Sequence, residues 1–302
     1  MTLTDLQSLP IEVVRGPRTD PYEDKVATVY ADDPEEWRKV IGDELHFQWG
    51  VYNHPDSPRP VSLDEAGRRH LDRQLELAGF TGRTPTPRRV LDLGCGWGAD
   101  LRALARRFPD ARRLDGVNIS RRQLEHCARA LADDRRVHLY QANARDVALL
   151  PDPGDPYDLT VVRGAITHFP MDVLREAVAG LSARVRGGGL LVISDNLYNV
   201  DLDTYTSAIP DRVDRLACRH RKTPADVTGA LEAGGFAVED IRVLPSNTDV
   251  ARSLLETRSN LETHFPEGVT GALEELRVMA VNLSIAVLKN EISAYSIIAR
   301  RR

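Results

Sequence analysis

Apolar residues recur along this chain with two alternating periods. Residues 63–80, LDEAGRRHLDRQLELAGF, repeat Leu at helical intervals, whereas 89–94, RVLDLG, is the short apolar run of a strand buried on both faces. The alternation continues with a helix over 99–108, a strand over 113–120, a helix over 121–134 and a strand over 136–143. Next come a strand over 157–166, a helix over 171–185 and a strand over 187–196. Strands separated by helix-length segments pair in parallel through crossover helices, which predicts an α/β fold with a doubly wound sheet. RVRGGGLL fits a helix ended by glycine before the next strand, since Gly takes positive φ without side-chain cost.

Two turn-rich stretches, HPDSPRP at 54–60 and TGRTPTP at 81–87, separate a mixed N-terminal segment from the sheet. A sixth strand is expected over 236–244 and a last one over 292–300, with helices over 246–290 between them. An insertion of that size usually covers something, and a substrate lid shared with residues 1–65 is the expectation. The predicted sheet is seven-stranded and mostly parallel, flanked by a helical N-terminal segment and a helical insertion before the last strand.

Composition narrows the function classes. The 302 residues are 42% apolar and 28% charged, ordinary for a globular protein. A formal charge of −5 gives no global attraction to nucleic acid or anionic lipid. Cys95, Cys127 and Cys218 are scattered, without a CxxC pair or histidines at zinc spacing, so neither a disulfide framework nor a metal site is expected. The N-terminus lacks a leader pattern and no run of about 18 apolar residues occurs, so the expected location is the cytoplasm, without membrane association.

The most informative stretch is VLDLGCGWGADL at 90–101, where Gly94, Gly96 and Gly98 follow a buried strand and precede a helix. Such a turn lets a ligand approach bare backbone. GxGxG is not the GxGxxG of a dinucleotide cradle, and Asp92 lies inside the strand end. A plain tight turn is the bland alternative.

VLDLGCGWG resembles motif I of class I S-adenosylmethionine (SAM)-dependent methyltransferases, of the small-molecule, natural-product branch, and the likeness extends over roughly residues 40–302. It implies a Rossmann-like SAM-binding core over 66–244, an N-terminal helical cap over 1–65, and a lid plus last core strand over 245–302. It implies that Gly94, Cys95, Gly96 and Gly98 pass under the methionine part of SAM, with Asp92 orienting the loop toward the amino group. A carboxylate usually follows the second strand to hold the ribose, but Asn118 stands there, with Ile119 beside it; Asn118 and Gln123 together are expected to reach the hydroxyls. After the third strand Asn143 and Ala144 replace the usual acid and Ala, so the Asn143 carbonyl is expected to accept from the adenine amine.

The fourth strand ends in RGAITHFP, and carboxyl ends of strands face the crevice in this fold. Arg163 is therefore placed with the cofactor and His168 is the candidate general base, although relatives often carry a His here that only supports the site. Isoprenyl-diphosphate C-methyltransferases have a Glu near the position of Gly164 that steadies a carbocation; no acid stands here, which favours an oxygen, nitrogen or enol carbon nucleophile. Trp49, Tyr52 and His54 are candidates for the substrate side, Trp49 and Tyr52 as π-faces toward the sulfonium, and Trp49 fits a core position equally well. His46 and His54 are candidates for the pocket rim, and Asp195 and Asn196 end the fifth strand facing the acceptor. RHRK at 219–222 near the lid would suit an acceptor bearing a carboxylate.

The expected function is methyl transfer from SAM to an O, N or enol-type C nucleophile of a small molecule, in secondary metabolism, by a chain that relatives suggest forms a homo-oligomer. C-methylation of an isoprenoid or alkene, and SAM binding without catalysis, are the alternatives. A nicotinamide oxidoreductase would need the longer glycine spacing. A nucleic-acid methylase would need a basic, aromatic-lined patch or an NPPY-like tetrad where RGAITHFP stands.

Overall fold

The computed structural model describes residues 9–52, 61–82, 86–206 and 213–302. In chain order the elements are β1 (Ile11–Val13), α1 (Pro21–Val29), α2 (Pro34–Ile41), α3 (Leu63–Leu77), β2 (Arg89–Leu93), α4 (Ala99–Arg107), β3 (Arg113–Asn118), α5 (Arg121–Ala130) and β4 (Val137–Gln141). They continue with β5 (Tyr157–Arg163), α6 (Met171–Arg184), β6 (Val185–Tyr198), α7 (Pro224–Ala233), β7 (Phe236–Val243), α8 (Asn247–His264), α9 (Gly271–Leu288) and β8 (Ile292–Arg301). One sheet runs in the order β1-β4-β3-β2-β5-β6-β8-β7. It is parallel from β1 to β6, and β8 runs antiparallel to both β6 and β7.

The α/β class is as expected, with eight strands rather than seven. The additional strand is β1, three residues that pair with Leu139–Gln141 of β4. It is too short to display a period of two, and Val13 faces solvent, so hydrophobic patterning could not separate it from a loop.

Helix starts follow local chemistry. Ser62, Ser120 and Ser246 each accept from the backbone N–H three residues on at α3, α5 and α8. Thr223 and Asp226 form a reciprocal capping box at α7, with Pro224 at its first position. Burying one face of each helix builds two apolar layers. Leu71, Leu101 and Leu124 of α3, α4 and α5 pack with Val90, Leu114 and Val161 on one side of the sheet. Leu174, Leu254 and Leu276 of α6, α8 and α9 join Leu91, Val162 and Trp37 on the other. The strand order reverses at β2, whose neighbours are β3 and β5, and ligands of open α/β sheets sit at that switch point.

Candidate active site: two cavities joined at a neck

The loop after β2 is built from backbone that only glycine holds without strain. Gly94, Gly96 and Gly98 have φ of +95°, +52° and +85°. A Cβ would meet the Ala165 side chain at 2.7 Å on Gly94 and Cys127 Sγ at 2.5 Å on Gly98. On Gly96 it would meet only Gln123 Nε2, at 3.7 Å, so this residue leaves its bare side to the cleft. The loop is pinned by Gly94 N–H and Cys95 N–H, which both donate to the Val117 carbonyl at 2.8 and 3.0 Å.

A cleft of about 840 Å3 opens over this loop, lined by Gly94, Cys95, Gly96, Asn118, Ile119, Gln123, Ala144 and Arg163 among others. Eight of the eleven residues assigned to the cofactor thus meet. Asn118 Nδ2 donates to Gln123 Oε1 at 2.7 Å. That bond leaves Asn118 Oδ1 and Gln123 Nε2, one acceptor and one donor, for a ligand's hydroxyls.

Asp92, Gly98 and Asn143 stand outside the lining. Asn143 departs from its expected role: its carbonyl accepts from Tyr22 Oη at 2.7 Å and Arg145 N–H at 3.1 Å, and its amide donates to Glu23 at 2.7 Å. It clamps α1 onto the 3₁₀ turn Ala144–Leu149, so its carbonyl is already taken and the Tyr22 ring reaches the cleft in its place. Asp92 is buried behind the loop with Oδ2 unpartnered. Burial, and then the like charge of Asp100, push its carboxyl well above the ordinary value, against the pull of Arg163.

Beneath the loop a buried polar layer joins α3, α4 and β5. Arg163 donates to Asp100 Oδ1 at 2.6 Å and to Gln74 Oε1 at 2.9 Å, while His46 Nε2 donates to the same Asp100 oxygen at 2.8 Å. Burial alone would raise the Asp100 carboxyl, but Arg163 and His46 outweigh it and hold it well below the carboxylate range. His46 is therefore a wall of the cleft rather than a rim residue.

A second chamber of about 740 Å3 adjoins the first, and Tyr30, Phe47, Gln48, Gly164 and His168 line both. These five form a neck. Trp49, Asp195 and Asn196 lie in the second chamber, where Trp49 Nε1 donates to Asn196 Oδ1 at 2.7 Å. Met279, Leu283 and Ile292 supply an apolar wall.

His168 lies 3.5 Å from Tyr30 Oη and 3.8 Å from Cys218 Sγ. Burial lowers it to about 4, so it is neutral, with a lone pair, at neutral pH. Asp195 accepts from the Asn196 and Thr167 backbone N–H groups at 2.8 and 3.2 Å, and burial raises its carboxyl.

One expectation about π-faces is corrected. Tyr52 lines neither cavity; it packs with Val61, Leu63 and Ala66 under the Arg252 guanidinium, 4.3 Å from its ring centroid. Trp49 faces the acceptor side, and the aromatic walls of the cleft come from Tyr22, Tyr30, Phe47 and Trp97 instead. Trp97 lies inside the glycine motif itself, but the packing of Trp37 and Tyr30 against it, at 5.2 and 5.8 Å between centroids, brings together residues some 60 positions apart. His54 lies outside the described residues. Two cations of RHRK are engaged: Arg221 pairs with Asp214 at 2.6 Å and Lys222 Nζ donates to the Ile166, Phe169 and His220 carbonyls; Arg219 is exposed and lines neither cavity.

The glycine cradle, the open amide pair and the neck to a second chamber are what a nucleoside cofactor with a transferable group requires, and the comparisons agree. The methyltransferase domain family matches residues 90–189. Residues 90–189 therefore carry a methyltransferase domain. It is 28% identical over 195 residues to the methyltransferase GfsG of Streptomyces halstedii, a match covering 64% of this chain and 66% of that one. It is 25% identical over 210 residues to the sarcosine/dimethylglycine N-methyltransferase of Halorhodospira halochloris, covering 68% and 69%. The fold is similar to the cyclopropane synthase MmaA2 of Mycobacterium tuberculosis, with a TM-score of 0.77 at 18% identity over 95% of this chain and 100% of that one. SAM fits the residues present, because the unpaired Asn118 and Gln123 atoms and the bare Gly96 are otherwise without purpose in a buried cleft.

Proposed function

We propose that the chain is a SAM-dependent methyltransferase that moves the methyl of SAM through the neck to an oxygen of a small, largely apolar molecule held in the second chamber. The observation that carries the reading is the shared lining of the two cavities by Tyr30, Phe47, Gln48, Gly164 and His168. Bound SAM supplies an activated methyl on sulfur; the protein supplies orientation, water exclusion and one proton acceptor. Gly94, Cys95 and Gly96 carry the methionine part, Asn118 and Gln123 meet the ribose, and Arg163, Ile119 and Ala144 complete the walls. Asp92 and Gly98 support the loop from behind. His168 accepts the proton of the acceptor hydroxyl, and Asp195, Asn196 and Trp49 hold the acceptor body.

Three features favour oxygen. The apolar wall of Met279, Leu283 and Ile292 suits a hydrocarbon body, and the engaged Arg221 and Lys222 leave an amino-acid carboxylate without a partner. At Gly164 the neighbouring side chain is the neutral amide of Gln48, so no carboxylate there steadies a carbocation.

The division into a cap over 1–65, a core over 66–244 and a lid over 245–302 belongs to the same reading, with Tyr30 and Phe47 coming from the cap and Met279 and Leu283 from the lid. So do work in the cytoplasm, in secondary metabolism, and the absence of a nucleic-acid partner, in keeping with the charge of −5. Among the described residues no helix is long and apolar enough to cross a membrane. Val281, Ile285 and Leu288 form one exposed apolar stripe on α9 that suits pairing with a second copy. The test is methyl transfer from [methyl-13C]SAM to a panel of apolar alcohols, phenols, amino acids and alkenes. Label on oxygen is expected; label confined to amino acids or alkenes contradicts the reading.

A further inference from the structure

The neck contains a polar side chain that the reading above does not use. Gln48 lines both cavities, and among the described residues its terminal amide makes no hydrogen bond. The chain on either side of it is fixed. Gln48 N–H donates to the His46 carbonyl at 2.8 Å, Phe47 packs on Trp37 at 5.5 Å, and Trp49 is held through Asn196. Tyr30 and His168, the other polar groups of the neck, are turned toward each other.

Gly164 makes room for the amide. Its φ of +61° is a conformation L side chains rarely adopt, and a Cβ there would lie 2.1 Å from Gln48 Nε2, 3.3 Å from Cδ and 3.7 Å from Oε1. Nε2 therefore sits against the Gly164 backbone and Oε1 stands away from it. The amide is half-buried and its polar atoms stay open to a ligand that enters the neck.

We propose that Gln48 recognises the sulfonium methyl itself, its Oε1 accepting from the polarised methyl C–H groups as the methyl enters the neck, so that the site distinguishes SAM from the spent S-adenosylhomocysteine (SAH). This rests on the placement of SAM in the first cavity. A methyl on positively charged sulfur is a better carbon donor than an ordinary methyl, and SAH has neither the methyl nor the charge. The contribution falls on SAM alone, which makes Gln48 a positioning and selectivity residue.

The test is the ratio of SAM to SAH affinity, measured by calorimetry for the wild type, Gln48→Leu and Gln48→Glu, with the 1H and 13C shifts of bound [methyl-13C]SAM recorded alongside. In Gln48→Leu the preference for SAM should fall about two- to fivefold, the size of a carbon-donor hydrogen bond, with SAH affinity unchanged. The methyl proton resonance should move upfield in the same variant. In Gln48→Glu the ratio should rise, because a carboxylate attracts the sulfonium. An unchanged ratio and unchanged methyl shift in Gln48→Leu, with SAH still bound, overturn the proposal. Failure of the wild type to bind either compound overturns the cofactor reading instead.

Discussion

Replacing Asp92 by Asn should stabilise the protein at neutral and higher pH while leaving the lining of the cofactor cleft unchanged. Asp92 is 2% exposed, its Oδ2 has no partner, and its carboxyl is pushed well above the ordinary range by burial and by Asp100. A group with a raised folded-state value binds its proton more tightly in the folded than in the unfolded chain. From pH ~3.9, where the unfolded carboxyl ionises, stability is therefore lost as pH rises toward the folded value. Removing a buried, unpaired charge stabilises the fold, and the new amide N–H groups, left without an acceptor, give back part of that, for a net gain of about 1–3 kcal/mol at pH 8. With an unfolding entropy near 2.1 cal/mol/K per residue, 302 residues give about 0.6 kcal/mol/K, so Tm should rise by roughly 2–5 °C. The gain should be smaller at pH 5 than at pH 8, because at pH 5 Asp92 is closer to its neutral form in the folded chain. Scanning calorimetry at both pH values reads the effect, and SAH titration should show an affinity changed by less than about twofold, because Asp92 lines neither cavity. A variant less stable than wild type at pH 8, or a gain independent of pH, refutes the assignment of Asp92 as an uncompensated buried acid.

Arg163→Met should cost about 3–5 kcal/mol, or roughly 5–8 °C in Tm, by leaving Asp100 charged in the interior with only the His46 hydrogen bond, and adding Asp100→Leu should recover most of it. Asn118→Ala and Gln123→Ala should each weaken SAH binding by about 2- to 13-fold, with a non-additive double variant because the two amides orient each other; calorimetric titrations of all three measure the coupling. His168 should titrate near pH 4 rather than 6.5 in an NMR titration of its ring protons. Because its folded-state value is lowered, it takes stability away as pH falls from 6.5 toward 4, and His168→Gln should flatten that slope; an inflection near 6.5 contradicts the burial account.

What could be read from sequence was local. The glycine run lies next to a strand in the chain, its positive φ angles follow from residue type, and the Asn118–Gln123 pair is separated by one cap and one turn of α5. Side chains that meet across long separations escaped. Asn143 ends the strand predicted over 136–143, yet its partner Tyr22 is 121 positions away, and nothing near 143 announces that the carbonyl is occupied. Tyr52 was read as a cavity residue because of its neighbours in sequence, whereas Arg252, 200 positions on, draws it to another face. Gln48 carries no pattern at all; it matters because Gly164 lacks a side chain where the Gln48 amide lies.

The decisive measurement is a crystal structure of the protein with SAH. The ribose hydroxyls should lie within hydrogen-bond distance of Asn118 Oδ1 and Gln123 Nε2, the methionine part along Gly94–Gly96, and the sulfur facing the neck beside Gly164 and Gln48. SAH bound outside this cleft, or bound within it with its sulfur turned from the second chamber, contradicts the proposed path of the methyl group.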